Sequence, residues 1–394
     1  MRIGKGIIKI FLLLFIHASI AHAAYYDTLP KGVRNFTYRI VQTSEISGSY
    51  NGSGDFKGYN LNANINADAI KGLNSTVDVF LGTLTPTEYA NFSFGTFEGS
   101  ASSKVTAQGF GGGYGFTREI TGYAFIPFYK AVVDLRLKRT AKGRNSSGTL
   151  LELDNLPDVD ARLIQSLIVN YYGYKPLGKW NATNFGDTEF GFLYQIKKWN
   201  TGGLLTKVGG VAPTGKIDDP DTLQDIPFGD GQWDAFGELG GGINLPLNFS
   251  VDAWTRLTYQ FPNQTNIRLP DSATFPVTTR KGSTEIKLGN KAEFNIKGNY
   301  SFSDQWMTSL LYTFEYKEAD KYKSPYAVSN SILSIDSEKN SHTVKASMNY
   351  STVALYQSKK FFMPLNLNLS AQSILGGKNV PYYNRFDFEI AFYF

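Results

Sequence analysis

The last ten residues alternate without a break. Phe386, Phe388, Ile390, Phe392 and Phe394 occupy every second place, with Arg385, Asp387, Glu389, Ala391 and Tyr393 between them. Side chains of a β-strand point to opposite faces with a period of two, so this segment builds one apolar face and one mostly charged face. A helix, with its period of 3.6, would scatter the phenylalanines around its axis. Four further segments repeat the pattern. Phe249 to Phe261 sets Phe249, Val251, Ala253, Leu257, Tyr259 and Phe261 against Asp252, Trp254, Arg256 and Gln260. The same alternation runs through Ile286 to Phe302, Trp306 to Lys317 and Phe361 to Gln372. In a soluble sandwich the charged faces would meet water and the apolar faces a core. The aromatic residues at the ends of the apolar faces instead match strands that cross a bilayer between two aromatic girdles. The expected fold is all-β: a transmembrane antiparallel β-barrel with an apolar outside and a polar lumen.

Composition closes the alternatives. No run approaches the roughly 18 apolar residues of a membrane-spanning helix. The chain has no Cys, which removes disulfide frameworks, thiolate metal sites and Cys nucleophiles. The start of the chain joins a basic opening (Arg2, Lys5, Lys9), an apolar run Ile10 to Ile16 and Ala21-His22-Ala23, the pattern of a secretory signal peptide over 1–23. Without it the formal charge falls from +5 to +2, so the basicity gives no reason to expect nucleic acid as a partner. The expected location is the outer membrane of a Gram-negative bacterium. There lipids and lipopolysaccharide surround the barrel, and the terminal Phe394 resembles the closing residue read by barrel-assembly machinery.

Short links separate some strands and long polar links separate others, as periplasmic turns and external loops do. A periplasmic segment 24–32 precedes a barrel over 33–394. Its large external loops are expected near 44–103, 138–185, 214–231, 262–284 and 318–340. Twelve strands result, at 33–43, 104–116, 120–137, 186–199, 204–213, 232–244, 247–261, 285–302, 306–317, 341–355, 361–373 and 381–394. The 60-residue link 44–103 is long for a loop, and an extra hairpin at Val77–Leu81 and Phe92–Gly95 would make fourteen strands.

Three segments carry a family resemblance: Tyr114-Gly-Phe-Thr-Arg-Glu-Ile-Thr-Gly-Tyr-Ala-Phe-Ile-Pro127, Thr28-Leu-Pro-Lys-Gly-Val33, and Ala212 to Asp221 running on to Gly229-Asp-Gly-Gln-Trp-Asp234. Together they resemble the meta-pathway phenol-degradation-like outer-membrane proteins, over roughly 28–245. These are similar to the long-chain fatty-acid and toluene channels. The resemblance implies a channel for small hydrophobic, aromatic or amphipathic solutes. Only about nine residues precede the first strand, so the substrate-triggered N-terminal plug of the fatty-acid channels is not expected here.

Projected inward, the alternation places Arg39, Lys130, Asp134, Arg136, Asp234, Glu238, Asp252, Arg256, Lys287, Lys291, Glu293, Lys297, Glu315, Lys317, Lys345, Arg385, Asp387 and Glu389 in the lumen. They would form either a wet pore, with Lys287, Lys291 and Lys297 as an anion-favouring ladder, or an ion-pair network filling a narrow barrel. Gly109, Gly111, Gly113 and Gly115 leave one strand face bare, for an inserted loop or for barrel curvature. An amphipathic helix over Asp158–Gly173 would offer Leu163, Ile164, Leu167 and Ile168 as a constriction if folded inward, or bury its own stripe at the rim. Asp218, Asp219 and Asp221 are weak Ca²⁺ candidates in a spacing unlike an EF-hand; no other cofactor is expected. An enzyme is not expected, because His342 is the one histidine after the leader and lacks a Ser or Asp on its strand face. The competing reading is a non-conducting surface barrel: an adhesin, receptor or structural protein.

Overall fold

The computed structural model describes residues 24–71, 75–145, 147–148, 165–273 and 277–394, so the signal peptide expected over 1–23 lies outside the described residues. Twelve strands form the barrel: β1 (Arg34–Thr43), β2 (Ser93–Gly115), β3 (Ile120–Arg144), β4 (Thr188–Trp199), β5 (Gly202–Ala212), β6 (Asp234–Asn244), β7 (Phe249–Gln260), β8 (Lys291–Ser301), β9 (Trp306–Lys317), β10 (Lys339–Ser351), β11 (Leu365–Lys378) and β12 (Asn384–Tyr393). Each pairs antiparallel with the next, and β12 returns to β1 with Arg39 opposite Glu389, which closes the wall. The fourteen-strand alternative fails on its own residues. Val77–Leu81 lies in the helix Ser75–Gly82, and Phe94 and Gly95 belong to the start of β2.

Exposure is inverted relative to a soluble protein. Leu257 and Phe294 are 60% and 63% exposed, whereas Arg256 is 0% exposed. Apolar side chains on the outside and charge within is what a lipid solvent selects, since every wall hydrogen bond is already made between strands. Exposed Phe36, Tyr114, Phe249, Phe302 and Trp306 ring the end that carries the short turns. Trp233, Tyr259 and Phe261 mark the long-loop end.

The wall is uneven in height. β2 and β3 run 23 and 25 residues, against 10 for β1 and β12. At about 3.3 Å per residue, they rise well beyond the others. The strand Asn60–Asn66 continues the raised wall beside β2 and Lys179–Phe185 continues it beside β3. Around it the long loops carry helices at Pro86–Asn91 and Ala327–Ser334 and a three-stranded sheet of Asn263–Arg268, Lys281–Lys287 and Lys321–Lys323.

Four lumen assignments change with this geometry. Lys130 is exposed on the outer face, and Asp134 and Arg136 form an exposed pair there. The inward places of β3 belong to Phe125, Tyr129, Ala131 and Val133, which join an apolar core. The strand has risen clear of the apolar band, so water can solvate its outward charges. Lys287 also points out, its ammonium 4.5 Å from the centre of the Tyr259 ring. The chain breaks at Leu288–Asn290, where Gly289 N donates to Asp320 Oδ1, so Lys287 belongs to the outer three-stranded sheet and not to β8.

Candidate functional site

The remaining predicted lumen residues do face inward. Alternation on twelve strands brings charge from most of the circumference into a narrow space, where lone charges are costly and pairing follows. Arg39 Nε donates to Glu389 Oε2 at 2.6 Å across the β1–β12 seam. Arg385 grips Asp387 two places along β12, and Lys345 reaches the same carboxylate at 3.4 Å. On the opposite wall Arg256 spans from β7 to Glu189 on β4 at 3.0 Å and lies over the Phe236 ring at 3.7 Å. Lys207 pairs with Glu238 at 3.0 Å. Asp252 accepts from Asn299, and Asp234 from Gln260.

The lysines form a different pattern from the expected ladder. Lys291 stands opposite Lys317, which stands opposite Lys339, so three cations share one level across β8, β9 and β10. Two places inward Glu293 faces Glu315. Like charges directly opposite on neighbouring strands oppose folding. Asp320 draws off part of this by pairing with Lys317.

A cavity of about 310 Å³ runs beside these rows, lined by Tyr25, Trp254 and Met307 toward the short-turn end and by Lys339, Pro381 and Tyr383 toward the long-loop end, with Glu293, Lys297, Glu315 and Lys345 also on its wall. At one end it meets the segment before β1, and at the other the apolar core that contains Tyr383.

The inner stopper is the segment before β1. Tyr25 stacks on Trp254 at 4.7 Å and 10°, its hydroxyl donates to Glu238 Oε1 at 2.6 Å, and its N–H donates to Asp252 Oδ1 at 3.3 Å. Gln195 donates to the Tyr26 carbonyl, and Leu29 N donates to Thr121 Oγ1. Residues 24–30 thus fold into the mouth, against the expectation of no N-terminal plug. The glycine row explains how they fit. A Cβ at Gly115 would lie 2.1 Å from the Pro30 oxygen, and one at Gly109 would lie 2.0 Å from the Phe125 ring. The Gly113–Gly115 end of the bare face seats Leu29 and Pro30 of the N-terminal segment, whereas Phe125 of β3 fills the Gly109–Gly111 end. The signal in the sequence is the pairing of this glycine row with the adjacent Tyr25 and Tyr26 ahead of β1.

The outer stopper is the loop 214–231. Phe228 stacks parallel to Tyr129 (6.0 Å, 6°) and near-parallel to Trp180 (6.4 Å, 23°), and it joins Ile226, Phe125 and Tyr383 in the core inside the raised wall. The loop's acids serve as a latch. Asp219 pairs with Lys175, and Asp221 with Arg268 and Lys281. Burial opposes ionisation of both, but these ion pairs outweigh it and hold both carboxyls below the usual carboxylate range. Their oxygens are taken up by basic side chains, and among the described residues no group of three or more His, Asp or Glu could hold a metal ion. Ile168 packs at the rim with Tyr172 and Tyr174, away from the lumen, and Gly173 at φ +69° ends that turn. Leu163 and Ile164 lie outside the described residues, as does the side chain of Leu167.

No protein-family model and no curated protein matches the sequence. Among solved structures, an outer-membrane channel from Pseudomonas putida F1 superposes with a TM-score of 0.54 at 13% identity, covering 94% of this chain and 99% of that one. The Pseudomonas putida toluene transporter TodX scores 0.33 at 10% identity (93% and 90% covered), and a Pseudomonas aeruginosa FadL homologue scores 0.33 at 9% (94% and 92%). The first likeness establishes the fold, a twelve-stranded β-barrel of the outer-membrane type. The other two scores are too low to bear on it.

Proposed function

We propose that this barrel is a gated outer-membrane channel for small hydrophobic, aromatic or amphipathic compounds. The supporting observation is the way the lumen is closed. The wall side chains leave a cavity of about 310 Å³, the size of a small-ligand site, and what blocks its ends is an N-terminal segment and a loop, both movable without breaking a wall strand. The lysine row at the outer level favours solutes carrying a negative end. Outside, Lys287, Lys321 and Lys323 share one face just beyond Tyr259, where they suit lipopolysaccharide phosphates, and Phe394 is the element offered to the assembly machinery.

Single-channel recording of the refolded protein in planar bilayers tests this. Discrete openings are expected, and Tyr25→Ala, which removes both the Trp254 stack and the Glu238 hydrogen bond, should raise the open probability severalfold. A bilayer that stays silent with wild type and variant alike would overturn the channel reading in favour of a surface barrel presenting its raised wall.

A further inference from the structure

Phe228 is an aromatic ring held by aromatic rings, yet it belongs to a loop and not to the wall. Its planes align with those of Tyr129 and Trp180, and offset parallel rings at such distances gain beyond simple burial. The segment that delivers it is fastened by polar contacts. Phe228 N and Gly229 N donate to the Lys216 carbonyl, Gly215 N and Asp230 N donate to Asp187, and the tip is pinned by the Asp219 and Asp221 ion pairs. Tyr383 packs in the same core as Phe228 and also lines the long cavity. A ring leaving this place inward therefore meets the lumen next.

We propose that the space between Tyr129 and Trp180 is a binding site for one flat aromatic ring, and that Phe228 is its internal occupant, displaced when a soluble aromatic enters from outside. The site is the entry station of the channel proposed above and takes its role from that reading, although its binding test does not depend on conductance. Occupancy by Phe228 lowers the apparent affinity by the fraction of time the loop is out. Removing the ring should then raise affinity while keeping the preference for flat molecules, because Tyr129 and Trp180 still supply the faces.

The experiment titrates benzene and cyclohexane, rings of the same atom count but different flatness, against wild type and Phe228→Ala, read by calorimetry in detergent micelles with protein-free micelles subtracted. The expected result is one benzene per Phe228→Ala barrel, bound at least tenfold more tightly than by wild type, with cyclohexane several-fold weaker. Equal benzene affinity in the two proteins, or equal affinity for the two rings, would overturn the site. Should Phe228→Ala fail to fold, the wild-type protein serves: benzene should change tryptophan emission, and Trp180→Phe should abolish that change. A change that survives Trp180→Phe would likewise overturn the site. Openings without benzene binding would sink this inference and leave the channel; binding in a silent barrel would do the reverse.

Discussion

Arg256 shows most sharply what the fold asks of a single residue. Its side chain is fully enclosed, paired to Glu189 and lying against the Phe236 ring, while Tyr123 donates to the same glutamate at 2.6 Å. Burying a charge is tolerable only when a partner stays with it, and removing one partner leaves the other buried alone. Arg256→Met should therefore cost about 3–5 kcal/mol, whereas Arg256→Met combined with Glu189→Gln should recover most of that loss. Urea unfolding in lipid vesicles reads both, and equal losses in the single and double variants would mean that the pair does not stabilise the lumen. The alternation made Arg256 legible as inward. It could not identify the partner, because Glu189 lies 67 residues earlier and three strands round the wall.

At the level of elements the sequence was most legible where a period governs and least where a segment folds into the lumen. Strand number followed from alternation, whereas the bare glycine face of β2 read equally as the seat of an inserted loop or as barrel curvature, and its Gly113–Gly115 end takes a segment. The identity of that segment was hidden, because Tyr25 and Trp254 are joined by no local pattern. β3 misled for a related reason: charge at Lys130 and Arg136 reads as lumen only if the strand stays within the membrane, and the height of a strand is set by its neighbours. The latch on loop 214–231 carries a prediction of definite sign. Asp219 and Asp221 titrate below their unfolded value of about 3.9. Their stabilising contribution is fully present above that value and is lost as pH falls through the lower, folded one. Loss of these two ion pairs should raise protease access to the loop below about pH 4. Asp221→Asn, which weakens the contacts to both Arg268 and Lys281, should expose the loop at neutral pH. A rise in wild-type cleavage between pH 7 and pH 5 would show that other groups hold the loop.

For the molecule as a whole, the arrangement of charge around the wall decides what a solute meets. Lys291, Lys317 and Lys339 form a cationic level on three adjacent strands, Lys297 and Lys345 continue positive charge along the cavity, and Glu293 and Glu315 lie between. Within a narrow lumen such fields act over short distances and are screened less than at an open surface. Lys287, though on the same stretch of sequence, stands outside the barrel against Tyr259 and is separated from that field by the wall. The two positions therefore part company. Lys297→Glu and Lys339→Glu should each move the reversal potential under a salt gradient toward cation selectivity, and together they should move it further. Lys287→Glu should leave the reversal potential unchanged while weakening retention of lipopolysaccharide during purification. A shift from Lys287→Glu as large as that from Lys297→Glu would mean that ions pass along the outer three-stranded sheet and not through the cavity beside β8 to β10, and both stoppers would then be guarding the wrong path.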